Sequence, residues 1–128
     1  MATNNVVGWF EIPVNDMDRA IKFYEAVLDI KLERNQLEGL DMAWFPWDEK
    51  GLGCSGNLVC NPEFYKPSAD GTLVYFTPRS GDLAIELSRV EEAGGKVLMP
   101  KKLIAEEIGY MGLFLDTEGN RVAMHSRE

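Results

Sequence analysis

The sequence predicts an α+β fold in which two βαβββ repeats form an open, cup-shaped mixed sheet with the helices on its outer face. Three observations lead to this prediction. A strand runs directly into an amphipathic helix in the segment GWFEIPVNDMDRAIKFY. The same order restarts at GTLVYFTPRSGDLAIEL, about 64 residues later, which is half the chain length. Shorter strands are predicted after each helix, so each repeat has one helix-covered face and one concave, uncovered face.

The first strand is predicted at residues 6–14 and is expected to be covered on both faces, because both alternating sets of side chains are apolar apart from Glu11. Asn15 or Asp16 can cap the helix that follows. Asp29 is expected to end that helix in the left-handed conformation. The apolar stripe of the helix comprises Met17, Ala20, Ile21, Tyr24, Val27 and Leu28.

Three shorter strands complete the first repeat, at about residues 30–35, 40–46 and 54–60. The next segment, NPEFYKPSADG, contains two prolines and no periodicity, and it is predicted to be a linker at residues 61–71. Cys54 and Cys60 fall in one predicted strand, nearly 20 Å apart if it is straight, which is too far for a disulfide. They are therefore expected to be reduced, buried thiols.

The second repeat begins with a strand in GTLVYFTP, whose Val74 and Phe76 are expected to pack under the second helix. That helix is predicted over SGDLAIELSRVEEAGG, with Asp82 as its cap and the glycine pair as its stop. Gly119 is expected at the positive-φ position of the hairpin turn DTEGN. The last strands are predicted at about 96–104, 109–115 and 121–126.

The organisation that follows is a single domain. It covers residues 1–128, with repeat one at about 5–60, the linker at 61–71 and repeat two at about 72–126. Two concave faces joined edge to edge would create a cleft, the usual place for a small molecule.

The chain has 128 residues and a net charge of −8 at pH 7, which argues against a nucleic-acid partner. The negative charge suits solubility and would also attract a cationic ligand. No apolar stretch is long enough to cross a membrane, and no signal peptide is evident. The sequence thus predicts a cytoplasmic protein without a membrane partner.

Three motifs carry a family resemblance: VNDMDRAIKFYEAVLDI after the first strand, SRVEEAGGKV in the second helix, and GYMGLFLDTEGNRVAMHS at the end. With the repeated βαβββ order, they resemble the vicinal oxygen chelate superfamily, which contains glyoxalase I, extradiol dioxygenases, fosfomycin-resistance enzymes and bleomycin-resistance proteins. The resemblance covers essentially the whole chain. One scaffold of this kind carries many chemistries, so it implies the fold more strongly than the reaction.

The resemblance also implies where a metal would be held. In the enzymes of the superfamily, His, Glu or Gln side chains from four strands bind a divalent ion. Seven residues before Asp16, the first ligand position is Trp9; the matching positions in the second repeat are Leu73 and Ala123. The fourth lies within 54–60, where CSGNLVC contains no carboxylate or imidazole. The sequence therefore predicts no metal and no cofactor.

Other residues are predicted to face the same cleft. Glu11 shares a strand face with Trp9, as a polar anchor or proton acceptor, or as a carboxylate bonded to neighbouring strands or water. His125, the only histidine, could relay a proton with Glu11, or it could be a partly exposed histidine near the C-terminus. These two are the catalytic candidates. The predicted ligand-binding residues are Trp9, Glu11, Leu73, Tyr75, Arg121, Ala123 and His125.

Three functional hypotheses remain open. The favoured one is a metal-free, homodimeric protein that binds a small cationic or aromatic molecule, comparable to the bleomycin-resistance branch. The alternative is an enzyme, a lyase, isomerase or dioxygenase type that uses Glu11 and His125 or a non-standard metal site. The third is a dimerising fold whose cleft is filled by its own side chains.

Overall fold

A computed structural model describes residues 5–37 and 39–128 of the chain. The order of elements is βαβββ, given twice, as the sequence predicts. The elements are β1 (Phe10–Pro13), α1 (Met17–Leu28), β2 (Glu33–Leu37), β3 (Leu40–Trp44), β4 (Gly56–Cys60), β5 (Val74–Phe76), α2 (Leu83–Leu87), β6 (Lys96–Ala105), β7 (Gly109–Leu115) and β8 (Arg121–Ser126).

The strands form two mixed, open, four-stranded sheets with the same internal order. The first is β1-β4-β3-β2 and the second is β5-β8-β7-β6. In each, the first strand of the repeat runs parallel to the fourth, and the remaining pairs are antiparallel. One helix packs on each sheet. The predicted α+β fold with two βαβββ repeats is therefore confirmed, with the strands divided between two sheets.

Helix α1 forms as its sequence predicts. The side chain of Asp16 accepts a hydrogen bond of 3.1 Å from the backbone N–H of Arg19, which makes Asp16 the cap. Asp29 ends the helix in the left-handed conformation, at φ 55°. None of the helices in the described part of the chain is long and apolar enough to span a membrane.

The second helix is shorter than predicted. It covers Leu83–Leu87, with Asp82 as the cap, and the chain then continues in turns to the glycine pair. Backbone bonds there join residues three apart, from Arg89 to Glu86 and from Val90 to Leu87. The hydroxyl of Ser88 donates to Ile85 O at 2.6 Å, and this local bond competes with the regular helical pattern.

The predictions for β1 and the cysteines were wrong in part. The strand begins at Phe10 instead of residue 6, and Trp9 and Glu11 are exposed, so only one of its faces is covered. No element of the described chain packs over that second face of the first sheet, which remains the open side of the cleft. The fourth strand begins two residues later than predicted, so Cys54 precedes it and is exposed. Cys60 is the last residue of the strand and is half-buried.

One hydrophobic core spans both repeats. Phe76 was expected under the second helix, but its ring packs against the first repeat instead. It lies 5.7 Å from Phe10, 5.9 Å from Tyr24 and 5.3 Å from Phe45, between ring centroids. The side chains of β1 and β5 therefore meet through the Phe10 and Phe76 rings, although the backbones of the two strands are not in contact.

The turn between β7 and β8, residues 116–120, joins the second repeat to the first. Asp116 Oδ2 accepts a hydrogen bond of 2.6 Å from the buried Tyr24 hydroxyl, and Asn120 Nδ2 donates to Pro13 O at 2.8 Å. Burial, followed by the charge of Asp116, raises the pKa of Tyr24 well above its ordinary value. As predicted, Gly119 takes positive φ, at 89°.

Glu118, in the same turn, satisfies the first backbone donors of α1. Its carboxylate accepts bonds of 2.9 Å from the N–H groups of Asn15 and Asp16, and it pairs with Arg19 at 2.7 Å. Burial would raise the pKa of Glu118, but the hydrogen bonds from Arg19, Asp16, Thr117 and Asn15 outweigh it and lower the pKa to about 2. These bonds tie the turn of the second repeat to the start of α1 in the first.

Candidate functional site

A cavity of about 670 Å³ is lined by residues of both repeats. Its walls come from the start of β1, from β5, from the end of α1 and from the segment before β4. The lining residues are Val7, Trp9, Phe10, Leu28, Ile30, Phe45, Pro46, Leu52–Ser55, Thr72–Thr77 and Arg79. Volume and apolar lining are both within the range of sites that hold small organic molecules.

Trp9 stands immediately before β1 on the open face of the first sheet. Its indole N–H donates a hydrogen bond of 2.6 Å to Asn57 Oδ1 on β4, and its ring meets Trp44 edge-on at 6.0 Å between centroids. The residue nevertheless remains 41% exposed. An indole that is fixed at one edge and open on one side is suited to contact with a flat apolar ligand.

Tyr75 is the middle residue of β5, and its two strand neighbours, Val74 and Phe76, alternate to the opposite face. It is 49% exposed, although it stands in a strand beside the fully buried Ala123 of β8. Tyr75 and Trp9 thus bring two partly exposed aromatic side chains, one from each repeat, to the same cavity.

Glu11 faces the same side as Trp9, as strand alternation predicts, and is exposed. Asn57 Nδ2 donates a hydrogen bond of 3.4 Å to its carboxylate. The negative charge of Glu11, together with a hydrogen bond to it, raises the pKa of the Tyr65 phenol. Glu11 is therefore a carboxylate bonded to a neighbouring strand, and it also lines a second, smaller cavity of about 300 Å³.

The positions where the resemblance implies metal ligands do not fit a divalent ion. Trp9 offers only an N–H donor, and its partner Asn57 uses the carboxamide oxygen to accept that donor. Leu73 and Ala123 are hydrocarbon side chains. Among residues 5–37 and 39–128, no three or more His, Cys, Asp and Glu side chains are grouped as a metal site would require.

The two catalytic candidates have different hydrogen-bond partners and do not line a common cavity of the described chain. His125 Nε2 donates a hydrogen bond of 2.7 Å to Ile108 O, in the turn between β6 and β7. Glu11 lines the smaller cavity with Arg121, and His125 stands four positions after Arg121 in β8, roughly 13 Å along the strand. Ala123 is buried, and neither it nor His125 is among the residues that line the two cavities.

Sequence reasoning left the role of Asn57 undetermined and missed Tyr65 and Lys66. The register of β4 against β1 decides which residue of CSGNLVC meets Trp9, and the pairing of Glu11 with Asn57 settles that question. Tyr65 and Lys66 lie in the linker, where no periodicity assigns a face. The one available signal was an aromatic residue next to a basic one in an otherwise irregular segment.

The larger cavity has little charge. Of the described residues that line it, Arg79 is the one with a charged side chain, and none is a carboxylate. Arg79 Nη1 donates to Asp29 O at 2.8 Å, which ties the second repeat to the end of α1. The overall charge of −8 favours a cationic ligand, but this lining favours the aromatic one.

Comparison with protein families gives one match that covers most of the chain. The model of the Glyoxalase/Bleomycin resistance protein/Dioxygenase superfamily matches residues 6–124. No curated protein matches the sequence.

Many solved structures share the fold. A glyoxalase/bleomycin resistance protein from Albidiferax ferrireducens is 15% identical, with a TM-score of 0.72 and coverage of 97% of this chain and 100% of the other. TnmS3, an antibiotic binding protein from Streptomyces sp. CB03234, is 24% identical, with a TM-score of 0.64 and full coverage of both chains. Glyoxalase I from Zea mays is 20% identical, with a TM-score of 0.67, and the match covers 93% of this chain but only 45% of that enzyme. At these identities the similarity concerns the fold.

Proposed function

The chain belongs to the Glyoxalase/Bleomycin resistance protein/Dioxygenase superfamily, and from that membership and the site geometry we propose that it binds a small aromatic molecule without a metal ion. The observation that carries the proposal is the 670 Å³ cavity with Trp9 and Tyr75 on its walls. Large aromatic side chains that remain 41% and 49% exposed beside an apolar cavity are arranged for contact with a further molecule.

The walls of the cavity support an aromatic ligand. Trp9 and Phe10 belong to the first repeat, and Tyr75 and Phe76 belong to the second. A planar ligand between the repeats would remove apolar surface from water on both sides, at about 25 cal/mol for each Å² buried. A cationic ligand would find no carboxylate among the described lining residues to balance its charge.

The residues at the family's ligand positions support binding without a metal. Trp9 and Asn57 satisfy each other by a 2.6 Å hydrogen bond, and Leu73 and Ala123 have no donor atoms. The name of TnmS3 describes an antibiotic binding protein, and its whole length matches this chain. That similarity supports a binding role over a catalytic one, and so does the absence of a shared bond or cavity between Glu11 and His125 in the described chain.

The binding proposal is tested with N-phenyl-1-naphthylamine, an uncharged aromatic probe that fluoresces when it leaves water. We expect saturable binding that is weakened about tenfold or more in Trp9→Ala or Tyr75→Ala, because each removes much of one wall. Trp47→Ala is the matched control, since Trp47 is 67% exposed and does not line the cavity. Equal effects of Trp9→Ala and Trp47→Ala, or no binding to the unaltered protein, would refute the proposal.

The proposal that the protein binds no metal ion is tested separately, by thermal unfolding of chelator-treated protein with nickel, zinc, manganese or ferrous iron. A site at a hundred times its dissociation constant would add about 2.7 kcal/mol of stability, or several degrees. We expect no shift with any of the four ions. A shift that disappears in Glu11→Gln would contradict metal-free binding and favour the enzyme hypothesis.

We also propose that the protein is cytoplasmic and forms a homodimer, as the family resemblance implies. The surface available for a second copy is the edge strand β6 and the turn after it, where Leu98, Leu103, Ile104 and Ile108 are exposed. Light scattering after size exclusion should give twice the chain mass of 14.4 kDa. Leu103→Lys should reduce that mass to one chain; an unaltered dimer would place the interface elsewhere.

A further inference from the structure

The smaller cavity, of about 300 Å³, adjoins the larger one, because Phe10, Thr72 and Val74 line both. Its charged lining residues differ from those of the larger cavity. Arg121, at the start of β8, and Lys66, in the linker, provide two cations, and Glu11 provides one anion. The balance of these three side chains is positive in a chain whose total charge is −8.

Arg121 has no partner in the described chain. Its Nε is buried without a hydrogen-bond acceptor, and no described carboxylate lies within 4.0 Å of its guanidinium. The other arginines are engaged, with carboxylates or backbone carbonyls: Arg19, Arg34, Arg79, Arg89 and Arg127. Arg89 Nε is buried without an acceptor as well, but its guanidinium lies 3.7 Å from Glu86, whereas Arg121 has neither a hydrogen bond nor an ion pair within the described chain.

A buried N–H such as that of Arg121 Nε is costly without an acceptor, because it loses its hydration and gains no hydrogen bond in return. The planar fork of N–H donors matches a carboxylate, sulfonate or phosphate group, and charged hydrogen bonds of this kind are about twice as strong as neutral ones. Glu11 lines the same cavity but bonds to Asn57 and not to Arg121. The acceptor that Arg121 lacks would therefore come from outside the chain.

We propose that the small molecule bound between the repeats carries an oxyanion group, which Arg121 binds in the smaller cavity with Lys66 at its rim, while the aromatic part lies against Trp9 and Tyr75. This inference rests on the proposed binding function and names the class of its ligand. Glu11, on the same wall, opposes the anion and limits its affinity.

A pair of probes isolates the oxyanion. 8-Anilinonaphthalene-1-sulfonate has the aromatic framework of N-phenyl-1-naphthylamine plus one sulfonate. We expect the sulfonate probe to bind about tenfold more tightly, and Arg121→Gln to remove that advantage while it changes binding of the uncharged probe less than about twofold. Arg127→Gln is the matched control, because Arg127 is exposed and donates to the backbone carbonyl of Glu107.

Two further variants should change the affinity for the sulfonate probe in opposite directions. Arg121→Lys keeps the positive charge but not the paired N–H donors of the guanidinium, so the sulfonate probe should still bind somewhat more tightly than the uncharged one. If circular dichroism shows that Arg121→Gln is unfolded, Arg121→Lys takes its place in the test. Glu11→Gln should tighten binding of the sulfonate probe relative to that of the uncharged probe. Displacement by 1-naphthoate, 1-naphthyl phosphate and 1-naphthalenemethanol then separates the sources of the oxyanion, and the uncharged alcohol should compete least.

The outcomes separate the two proposals. If neither probe binds, the binding function fails and the inference fails with it. If both bind equally well, or if Arg121→Gln weakens both to the same extent, the binding function stands and the oxyanion inference is refuted. Equal displacement by the alcohol and by the two anions would refute it as well.

Discussion

Replacement of Glu118 by glutamine is expected to destabilise the protein at neutral pH, through the first turn of a helix about 100 residues away. The carboxylate is fully buried and accepts from the N–H groups of Asn15 and Asp16 and from the Arg19 guanidinium. The Glu118→Gln amide has nearly the same shape, but its NH₂ group would face donors where an oxygen now accepts. It also removes the negative charge near the positive end of the α1 dipole.

The magnitude follows from the pKa of Glu118. Its lowering from 4.5 to about 2 corresponds to at most about 3 kcal/mol. Because Arg19 is half exposed and water screens the pair, we expect a loss of about 2 kcal/mol. The folded pKa lies below the unfolded one, so this stabilisation is complete above pH 4.5 and is lost as the pH falls toward 2.

Urea unfolding, followed by far-ultraviolet circular dichroism from pH 7 down to pH 2.5, measures this effect. The free energies of unfolding of the unaltered protein and of Glu118→Gln should differ at pH 7 and converge as the pH falls. Glu92→Gln, at an exposed position with the same charge change, is the control. A difference below about 0.5 kcal/mol at pH 7, or one that does not shrink at low pH, would refute the reasoning.

Three further changes test the packing. Tyr24→Phe removes the donor to buried Asp116 and should cost about 1–3 kcal/mol in urea unfolding; no loss would mean that water replaces the hydroxyl. Gly56→Ala would place a Cβ 2.3 Å from Phe10 O and 2.5 Å from the Phe10 ring. It should therefore lower the melting temperature and weaken binding of N-phenyl-1-naphthylamine. If neither quantity changes, Phe10 can move away without cost. Asp29→Gly relieves the left-handed backbone at the end of α1 and should stabilise by about 1 kcal/mol in a thermal melt, whereas a loss would indicate that the carboxylate is needed there.

Local features of the fold were predictable from the sequence. The apolar spacing of α1, its cap at Asp16 and its end at Asp29 depend on neighbouring residues, and the structure confirms them. The strands of the final hairpin were predicted at residues 109–115 and 121–126, which are their bounds in the structure, because Gly119 marks the turn between them. Propensity and alternation act over a few residues, so a single sequence contains this information.

Features that depend on partners distant in the sequence were not predictable. Alternation placed Phe76 opposite Tyr75 but could not show that rings of the first repeat would cover it. The register of β4, which places Asn57 between Trp9 and Glu11, depends on strand pairing 46 to 48 residues away. That Arg121 Nε lacks a hydrogen-bond partner likewise becomes evident only when the positions of all neighbouring acceptors are known.

The turn at 116–120 has a consequence for how the chain folds. Its bonds to Tyr24, Pro13 and the start of α1 close loops of 92 to 107 residues. Such closures are entropically expensive and form late, so topologies rich in them fold slowly. During synthesis the first repeat leaves the ribosome complete in its own strands, but the donors at the start of α1 have no acceptor until nearly the whole chain has emerged. The two repeats have the same order of elements, but the first depends on the second for these hydrogen bonds. A fragment that ends within the linker should therefore not fold alone.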